Sequence, residues 1–253
     1  MKPKSEAEIA NMRQSGRILA TILQMLKKQA VAGITTGELG EIAATELSKL
    51  DATSPFLHYI TGRGIPPFPS VICISVNDEV VHGIPGLRVL ADGDIVGLDF
   101  GVNYHGMITD SAITVTVGKV SREVKRLIEA TEQAMYAGIG KVRAGARVGD
   151  ISAAVEARLR KDNLGIVQEL AGHGVGHELH EEPWIPNFGK AGCGPRLKAG
   201  MTIAIEPMAT LGKKDVQWHR DGWTISTLDG SMAAHFEHSV LVTDDGYEIL
   251  TKL

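Results

Sequence analysis

The stretch AGITTGELGEIAATEL, residues 32–47, recurs 112 positions later as AGARVGDISAAVEARL, residues 144–159. At this shift Gly33 coincides with Gly145, and apolar, small and acidic positions along the two stretches also match. Leucine and isoleucine recur at helical spacing behind the glycines, which predicts an amphipathic helix in each copy. The repeat indicates two related halves, and the remaining motifs can be compared in pairs.

A longer helical pattern precedes each copy. Ser5 and Glu8 have the spacing of a capping box, in which the serine begins a helix and the glutamate closes its first turn. Apolar residues at helical spacing then predict a helix up to about Ala30, and a similar pattern covers roughly 121–142. We therefore expect one domain, residues 1–253, with internal halves of roughly 1–118 and 119–253.

The pairing continues into segments with the alternating apolar pattern of β-strands. The aligned segments are GDIVGLD (93–99) with GMTIAIE (200–206), DSAITVT (110–116) with EHSVLVT (237–243), and HGIP (82–85) with HEEP (180–183). Predicted strands run together instead of alternating with helices, so a parallel βαβ sheet is disfavoured. The predicted fold class is α+β, with two pseudo-symmetric α-then-β halves and a largely antiparallel sheet covered by helices.

Composition excludes several classes of protein. The 253 residues carry a formal net charge of −4, with no basic block typical of a nucleic-acid-binding arm, so no nucleic-acid binding is expected. Two cysteines are too few for a disulfide framework, and no apolar run reaches membrane-spanning length. The N-terminal residues lack the apolar core of a signal peptide. We expect a cytoplasmic protein without a membrane association.

The alignment of the halves matches acidic residues on strands that are otherwise rich in isoleucine and valine. Asp99 coincides with Glu206, and Asp110 coincides with Glu237. A carboxylate in such a setting is costly unless it is paired or binds a cation. Four crowded carboxylates predict two divalent metal ions, which could bridge a water and lower its pKa for hydrolysis. Carboxylates with one imidazole suit Mn, Fe or Co and accept Zn, so the identity of the metal stays open.

Three histidines lie within the eight residues from 173 to 180. His180 coincides with His82 in the alignment of HEEP with HGIP, so these two form a matched pair flanking the site. His173 has no counterpart and is interpreted as the imidazole ligand that joins the carboxylates. His177 also has no counterpart and is expected at the surface or behind the ligands. Neighbouring glycines argue against a helix that would make a metal-binding pair of His173 and His177.

At these residues the chain resembles type I methionine aminopeptidases, which have the pita-bread fold, and the resemblance covers nearly the whole sequence. The matching segments are CISVNDEVVHGIP (73–85), DGDIVGLDFG (92–101), HGMITDSAITVTVG (105–118), GHGVGHELHEEP (172–183), AIEPM (204–208) and DGWTISTLDGSMAAHFEHSVLVT (221–243). The resemblance implies metal ligands at Asp99, Asp110, His173, Glu206 and Glu237. It also implies Glu206 as general base, His180 beside the carbonyl of the cleaved bond, and His82 in contact with its amide.

The resemblance further implies an apolar pocket for the methionine side chain. Its positions in this chain are Phe68, Cys73 and Trp223, and also Tyr59 and Leu179. The segment 59–75 is a few residues longer than in the family, and His177 and Leu179 replace residues that are common there. These departures concern the shape of the pocket and not the metal ligands.

The resemblance implies a metal-dependent aminopeptidase that removes the initiator methionine from nascent chains with a small second residue. The resemblance implies nascent polypeptide N-termini as partners, and an association with the ribosome. We expect a monomer that binds two divalent ions from among Co, Mn, Fe and Zn. Three alternatives remain: an X-Pro peptidase of the same fold, a non-catalytic binding protein of that fold, and a structural protein with a buried carboxylate network. X-Pro peptidases usually carry a further N-terminal domain, and non-catalytic relatives commonly lose ligands that are all present here.

Overall fold

The computed structural model describes residues 2–62 and 64–253. The helices in this part of the chain are α1 (Glu6–Gln29), α2 (Thr36–Ser48), α3 (Arg122–Ile139) and α4 (Val148–Lys161). The strands of the first half are β1 (Ile72–Val76), β2 (Glu79–Val81), β3 (Ile95–Tyr104) and β4 (Met107–Thr116). Those of the second half are β5 (Gly165–Ile166), β6 (Ala171–Gly174), β7 (Glu181–Pro186), β8 (Thr202–Ile205), β9 (Met208–Thr210), β10 (Val216–Trp218), β11 (Ile225–Thr227), β12 (Ala233–His235), β13 (Glu237–Val242) and β14 (Tyr247–Ile249).

Local capping determines where the helices begin. The Glu8 carboxylate accepts the backbone N–H of Ser5 at 2.7 Å, and the Ser5 hydroxyl accepts the Glu8 N–H, so the predicted capping box of α1 is confirmed. Thr35 and Glu38 form the same reciprocal pair at α2. In the aligned copy the Asp150 carboxylate accepts the N–H of residue 147 at 2.8 Å, so the repeat preserves the acidic half of the box.

The strands form one curved sheet with the order β1-β3-β4-β13-β8-β6-β7, to which β14 is added beside β13. Every strand pairing of the described residues is antiparallel, as the sequence predicted. Two small three-stranded sheets, β10-β11-β2 and β12-β9-β5, lie beside it. Within the described ranges, no helix is both long enough and apolar enough to cross a lipid bilayer.

The helices cover one face of the large sheet. Apolar residues of α1 and α2 share a buried cluster with Leu98 and Phe100 of β3, and those of α3 and α4 share another with Ile203 of β8. Successive side chains of a strand point to opposite faces, so Asp99, between Leu98 and Phe100, points away from the helices. The same alternation leaves a concave polar face in the middle of the sheet.

Candidate functional site

The uncovered face of the sheet brings together the five predicted metal ligands. Asp99 lies on β3, Asp110 on β4, Glu237 on β13 and His173 on β6, which are central strands, and Glu206 follows β8 directly. All five line a single cavity of about 650 Å³. Ligand atoms of Asp110, His173 and Glu237 lie within 4.8 Å of one another, as a common metal ion requires. Residues separated by up to 138 positions therefore meet at one point.

The carboxylates of this cluster are costly to ionise in the absence of a cation. Burial raises the pKa of Glu206 to about 8, and burial together with the charge of Glu206 raises the pKa of Asp110 to about 8. Burial and the neighbouring carboxylates raise the pKa of Asp99 and Glu237 well above their usual range. Within residues 2–62 and 64–253, one buried oxygen each of Asp99, Asp110 and Glu237 has no hydrogen-bond partner. Unpartnered carboxylate oxygens facing one another fit divalent cations, which would remove both the repulsion and the desolvation cost.

A backbone carbonyl of the next residue orients the His173 ring, an arrangement that is common among metal-binding histidines. Its Nδ1 lies 2.9 Å from the carbonyl oxygen of Gly174, so Nδ1–H donates there and Nε2 keeps its lone pair. That Nε2 lies 3.5 Å from a Glu206 oxygen and 4.0 Å from a Glu237 oxygen. Burial lowers the pKa of His173 to about 3, so the ring is neutral and able to coordinate a cation.

His82 and His180 line the same cavity, as the alignment of the two halves suggested. The His180 ring lies 4.4 Å from that of His173, and its Nδ1 lies 2.7 Å from the Tyr59 hydroxyl. Loss of solvent lowers the pKa of both His82 and His180 to about 4, so both are neutral at pH 7. Each therefore offers one N–H donor and one acceptor nitrogen, and neither carries a charge.

His177 lies apart from the carboxylate cluster. Its side chain is about half exposed, and its Nε2 lies 2.6 Å from the Glu8 carboxylate on α1. The Glu181 carboxylate accepts the backbone N–H of His177 at 2.7 Å and pairs with the buried ammonium of Lys4 at 2.9 Å. The three histidines thus differ in environment. His173 faces the carboxylates, His180 lines the cavity, and His177 contacts Glu8 of α1.

The residues predicted to form the methionine pocket line the cavity together. Phe68, Cys73, Leu179 and Trp223 belong to one buried apolar cluster, against which Tyr59 packs. Trp223 is held by a hydrogen bond from its indole N–H to the carbonyl oxygen of Pro66 at 2.8 Å. Burial raises the pKa of the Cys73 thiol well above its usual range, which suits an apolar wall and not a nucleophile.

Several residues of the cavity region were not predicted from the sequence, among them Phe56, His235 and Trp184. Phe56 adds an aromatic side chain to the apolar cluster. His235 is buried, and its Nε2 lies 3.5 Å from Glu206 without a hydrogen-bond partner in the described structure. Trp184 lies at the cavity mouth with 51% of its surface exposed. His235 ends β12 and Glu237 begins β13 two residues later, and this closeness in sequence is the one local signal that could have indicated His235.

The raised carboxyl pKa values predict how pH affects the metal-free protein. A group whose pKa is higher in the folded than in the unfolded chain stabilises the fold fully below the unfolded pKa, and that contribution is lost as pH rises through the folded pKa. For Asp110 and Glu206 this window extends from about pH 4 to about 8. We expect the melting temperature in EDTA to fall across this window. The increase in melting temperature caused by Mn²⁺ should grow with pH. Each kcal/mol of added unfolding free energy corresponds to about 2–4 °C.

Thermal melting monitored by circular dichroism from pH 5 to 8.5, with EDTA or with excess Mn²⁺, measures both quantities. The difference between the two series at each pH isolates the cluster, because other titrating groups contribute equally to both. A metal-induced increase that is constant or shrinks with rising pH would contradict the assigned ligand cluster.

Comparison with known proteins gives a consistent result. The model of metallopeptidase family M24 matches residues 10–244. Methionine aminopeptidase 1 of Bacillus subtilis is 43% identical over 250 residues, which cover 99% of this chain and 98% of that protein. The crystal structure of methionine aminopeptidase from Rickettsia prowazekii is 37% identical, covers 99% of both chains and superposes with a TM-score of 0.95. Prolidase from Pyrococcus furiosus, at 20% identity and a TM-score of 0.80, shares the fold over 65% of its own length.

Proposed function

The chain belongs to metallopeptidase family M24 and has the activity of a methionine aminopeptidase, and from this premise we propose how its own residues carry out the hydrolysis. The observation that carries the proposal is the cluster of three buried carboxylates, the largely buried Glu206 and one neutral imidazole beside an apolar pocket. In this proposal the cluster binds the cations and the pocket receives an apolar side chain.

We propose that two divalent ions bind between Asp99, Asp110, His173, Glu206 and Glu237. The unpartnered carboxylate oxygens and the free lone pair of His173 support this assignment. Oxygen-rich donors with a single imidazole accept Co, Mn, Fe or Zn. When bound, such ions supply Lewis acidity and lower the pKa of a water to the neutral range.

Glu206 is the general base in this proposal. Its two carboxylate oxygens lie 3.5 Å from the Nε2 atoms of His173 and His235, at the edge of the cavity. Burial raises the pKa of the Glu206 carboxyl group, and the positive charge of bound cations would offset that cost, so the group is ionised at pH 7 when cations are present. It accepts a proton from the attacking water and delivers that proton to the leaving amine.

His180 stabilises the developing negative charge on the carbonyl oxygen of the cleaved bond. The Tyr59 hydroxyl donates to Nδ1 of His180, which leaves the proton of the neutral ring on Nε2 as a donor. His82 lines the same cavity, with its ring 6.3 Å from that of Trp223 in the apolar pocket. There it contacts the amide of the bond and orients it.

Phe68, Cys73, Tyr59 and Trp223 hold the methionine side chain in this proposal, with Leu179 and Phe56 completing the wall. Their clustering in one buried apolar group, continuous with the cavity, supports the assignment. The substrates would be the N-termini of nascent polypeptides in the cytoplasm. Two free cysteines, one of them buried, are compatible with that reducing compartment.

Separate loading of metal-stripped protein with Co, Mn, Fe or Zn tests the proposed function. Cleavage of Met-Ala-Ser and Ala-Pro-Ala is followed by mass spectrometry, with the metal-free protein as control. We expect release of methionine from Met-Ala-Ser only, and only after metal loading. Cleavage of Ala-Pro-Ala alone would indicate an X-Pro peptidase of the same family. If neither peptide is cleaved with metal bound, the result would contradict a peptidase function.

A further inference from the structure

Trp184 is an exposed aromatic residue at the mouth of the cavity. It lies on β7 with 51% of its surface exposed. Its ring centroid lies 6.4 Å from that of His180 and 6.5 Å from that of His173. A large aromatic side chain left half in water beside reacting groups is the kind of residue that contributes most to binding when a partner covers it.

The alternation of side chains along β7 explains why Trp184 faces the cavity. Its neighbours Pro183 and Ile185 are buried, and Ile185 belongs to the apolar cluster that α4 covers. Successive side chains of a strand point to opposite faces, so Trp184 lies on the face that carries the carboxylates. Its position is therefore set by the strand and does not depend on a loop.

The order of strands gives the cavity a direction. Cys73, a wall of the apolar pocket, lies on β1 at one end of the sheet, and Trp184 lies on β7 at the other end. The strands that carry the carboxylates and His173 lie between them. His180 is near both sides, with the Tyr59 ring at 5.4 Å and the Trp184 ring at 6.4 Å. A peptide whose first side chain fills the pocket and whose first carbonyl faces His180 continues toward Trp184.

The spacing identifies which substrate residue reaches Trp184. An extended chain advances roughly 3.3–3.6 Å per residue, so the third residue lies about 7 Å beyond the first. Because the first carbonyl faces His180, the third residue begins roughly 5–6 Å from that point, and its side chain can reach the Trp184 ring, which lies 6.4 Å from the His180 ring. We propose that Trp184 forms a subsite for an apolar side chain at the third position of the substrate, an inference that rests on the proposed function.

The chemistry of the indole supports an apolar occupant. An apolar side chain at this point would remove the exposed face of Trp184 from water, which a serine in the same place would not do as effectively. Among the described residues Trp184 makes no side-chain hydrogen bond, whereas the indole N–H of Trp223 donates to Pro66. The free indole N–H of Trp184 can donate to a peptide carbonyl and hold the strand-like substrate in register.

Kinetics with the metal-loaded protein on Met-Ala-Leu and Met-Ala-Ser test the proposal. We expect kcat/KM for Met-Ala-Leu to exceed that for Met-Ala-Ser by about fivefold to tenfold, chiefly through a lower KM. Trp184→Ser should raise KM for Met-Ala-Leu and reduce the preference to within about twofold, and Trp184→Phe should restore most of it. The matched control is Trp218→Ser, which removes a tryptophan that is 56% exposed on β10 and should leave the preference unchanged.

The outcomes separate this inference from the proposed function. Equal kcat/KM for the two peptides in the wild-type protein would overturn the subsite while leaving methionine release intact. A different result would be that Trp184→Ser lowers kcat by the same factor for both peptides and retains the preference. That result would show that Trp184 acts only through the His180 ring, and it would also overturn the subsite. Failure of the wild-type protein to release methionine from either peptide would overturn both proposals together.

Discussion

Glu206→Gln is expected to lower kcat for methionine release by about 10³-fold while the protein stays folded. The amide fills the same volume beside His173 and His235, but it can neither accept a proton from water nor balance cationic charge. In the metal-free protein it should preserve stability at pH 8 or improve it, because the amide needs no ionisation in a buried site where the carboxyl pKa is raised to about 8. Steady-state kinetics and thermal melting measure the two effects.

Glu169→Gln is the matched control for this prediction. Glu169 also lines the cavity, but it lies at the exposed rim and outside the carboxylate cluster. The same chemical change there should alter kcat by less than about threefold, within the range of an exposed charge. Near-normal turnover of Glu206→Gln with metal bound would remove Glu206 from the role of general base.

His173→Ala is expected to weaken binding of Mn²⁺ or Co²⁺ by about 100-fold or more, because even residues behind metal ligands commonly change affinity by about 10–100-fold. The imidazole is held by Gly174 with its free nitrogen toward Glu206 and Glu237, so its removal deletes a preorganised donor. Isothermal titration calorimetry on the metal-free protein measures the affinity directly and independently of catalysis.

His177→Ala is the comparison that decides how the neighbouring histidines divide their tasks. His177 pairs with Glu8 at a half-exposed position, where ion pairs contribute little, so its loss should have little effect on stability. Metal affinity should remain within about threefold of the wild-type value. Equal losses of affinity in the two variants would show that both histidines act on the metal site, against the structural assignment.

Much of the fold could be predicted because its determinants are local. The capping box of Ser5 and Glu8, the helical spacing of apolar residues and the alternation along β3 are all short-range properties, and each appears where it was predicted. The internal repeat added long-range information, because it matched Asp99 with Glu206 and indicated that both face the same interior. The antiparallel arrangement followed from strands that succeed one another without intervening helices.

The neighbours of the cluster could not be predicted in the same way. The hydrogen bond between Tyr59 and His180 joins residues 121 positions apart, and the pair of Glu8 with His177 spans 169 positions. Such contacts depend on how far each loop turns and on which rotamer each side chain adopts, and neither is encoded by spacing. His235 and Trp184 were missed for this reason, since both lie on strands whose facing direction is known only once the sheet is assembled.

The sequence by itself determined the helices, the antiparallel strands and the acidic residues that interrupt them, because hydrophobic period and capping act over a few residues. Only the tertiary structure decided that the carboxylates are desolvated together, that His82 and His180 are neutral, and that Trp184 stands opposite the apolar pocket. Burial, electrostatic coupling and the direction of a cavity are properties of surfaces brought together from distant segments. These properties arise only when strands of both halves come together in one sheet.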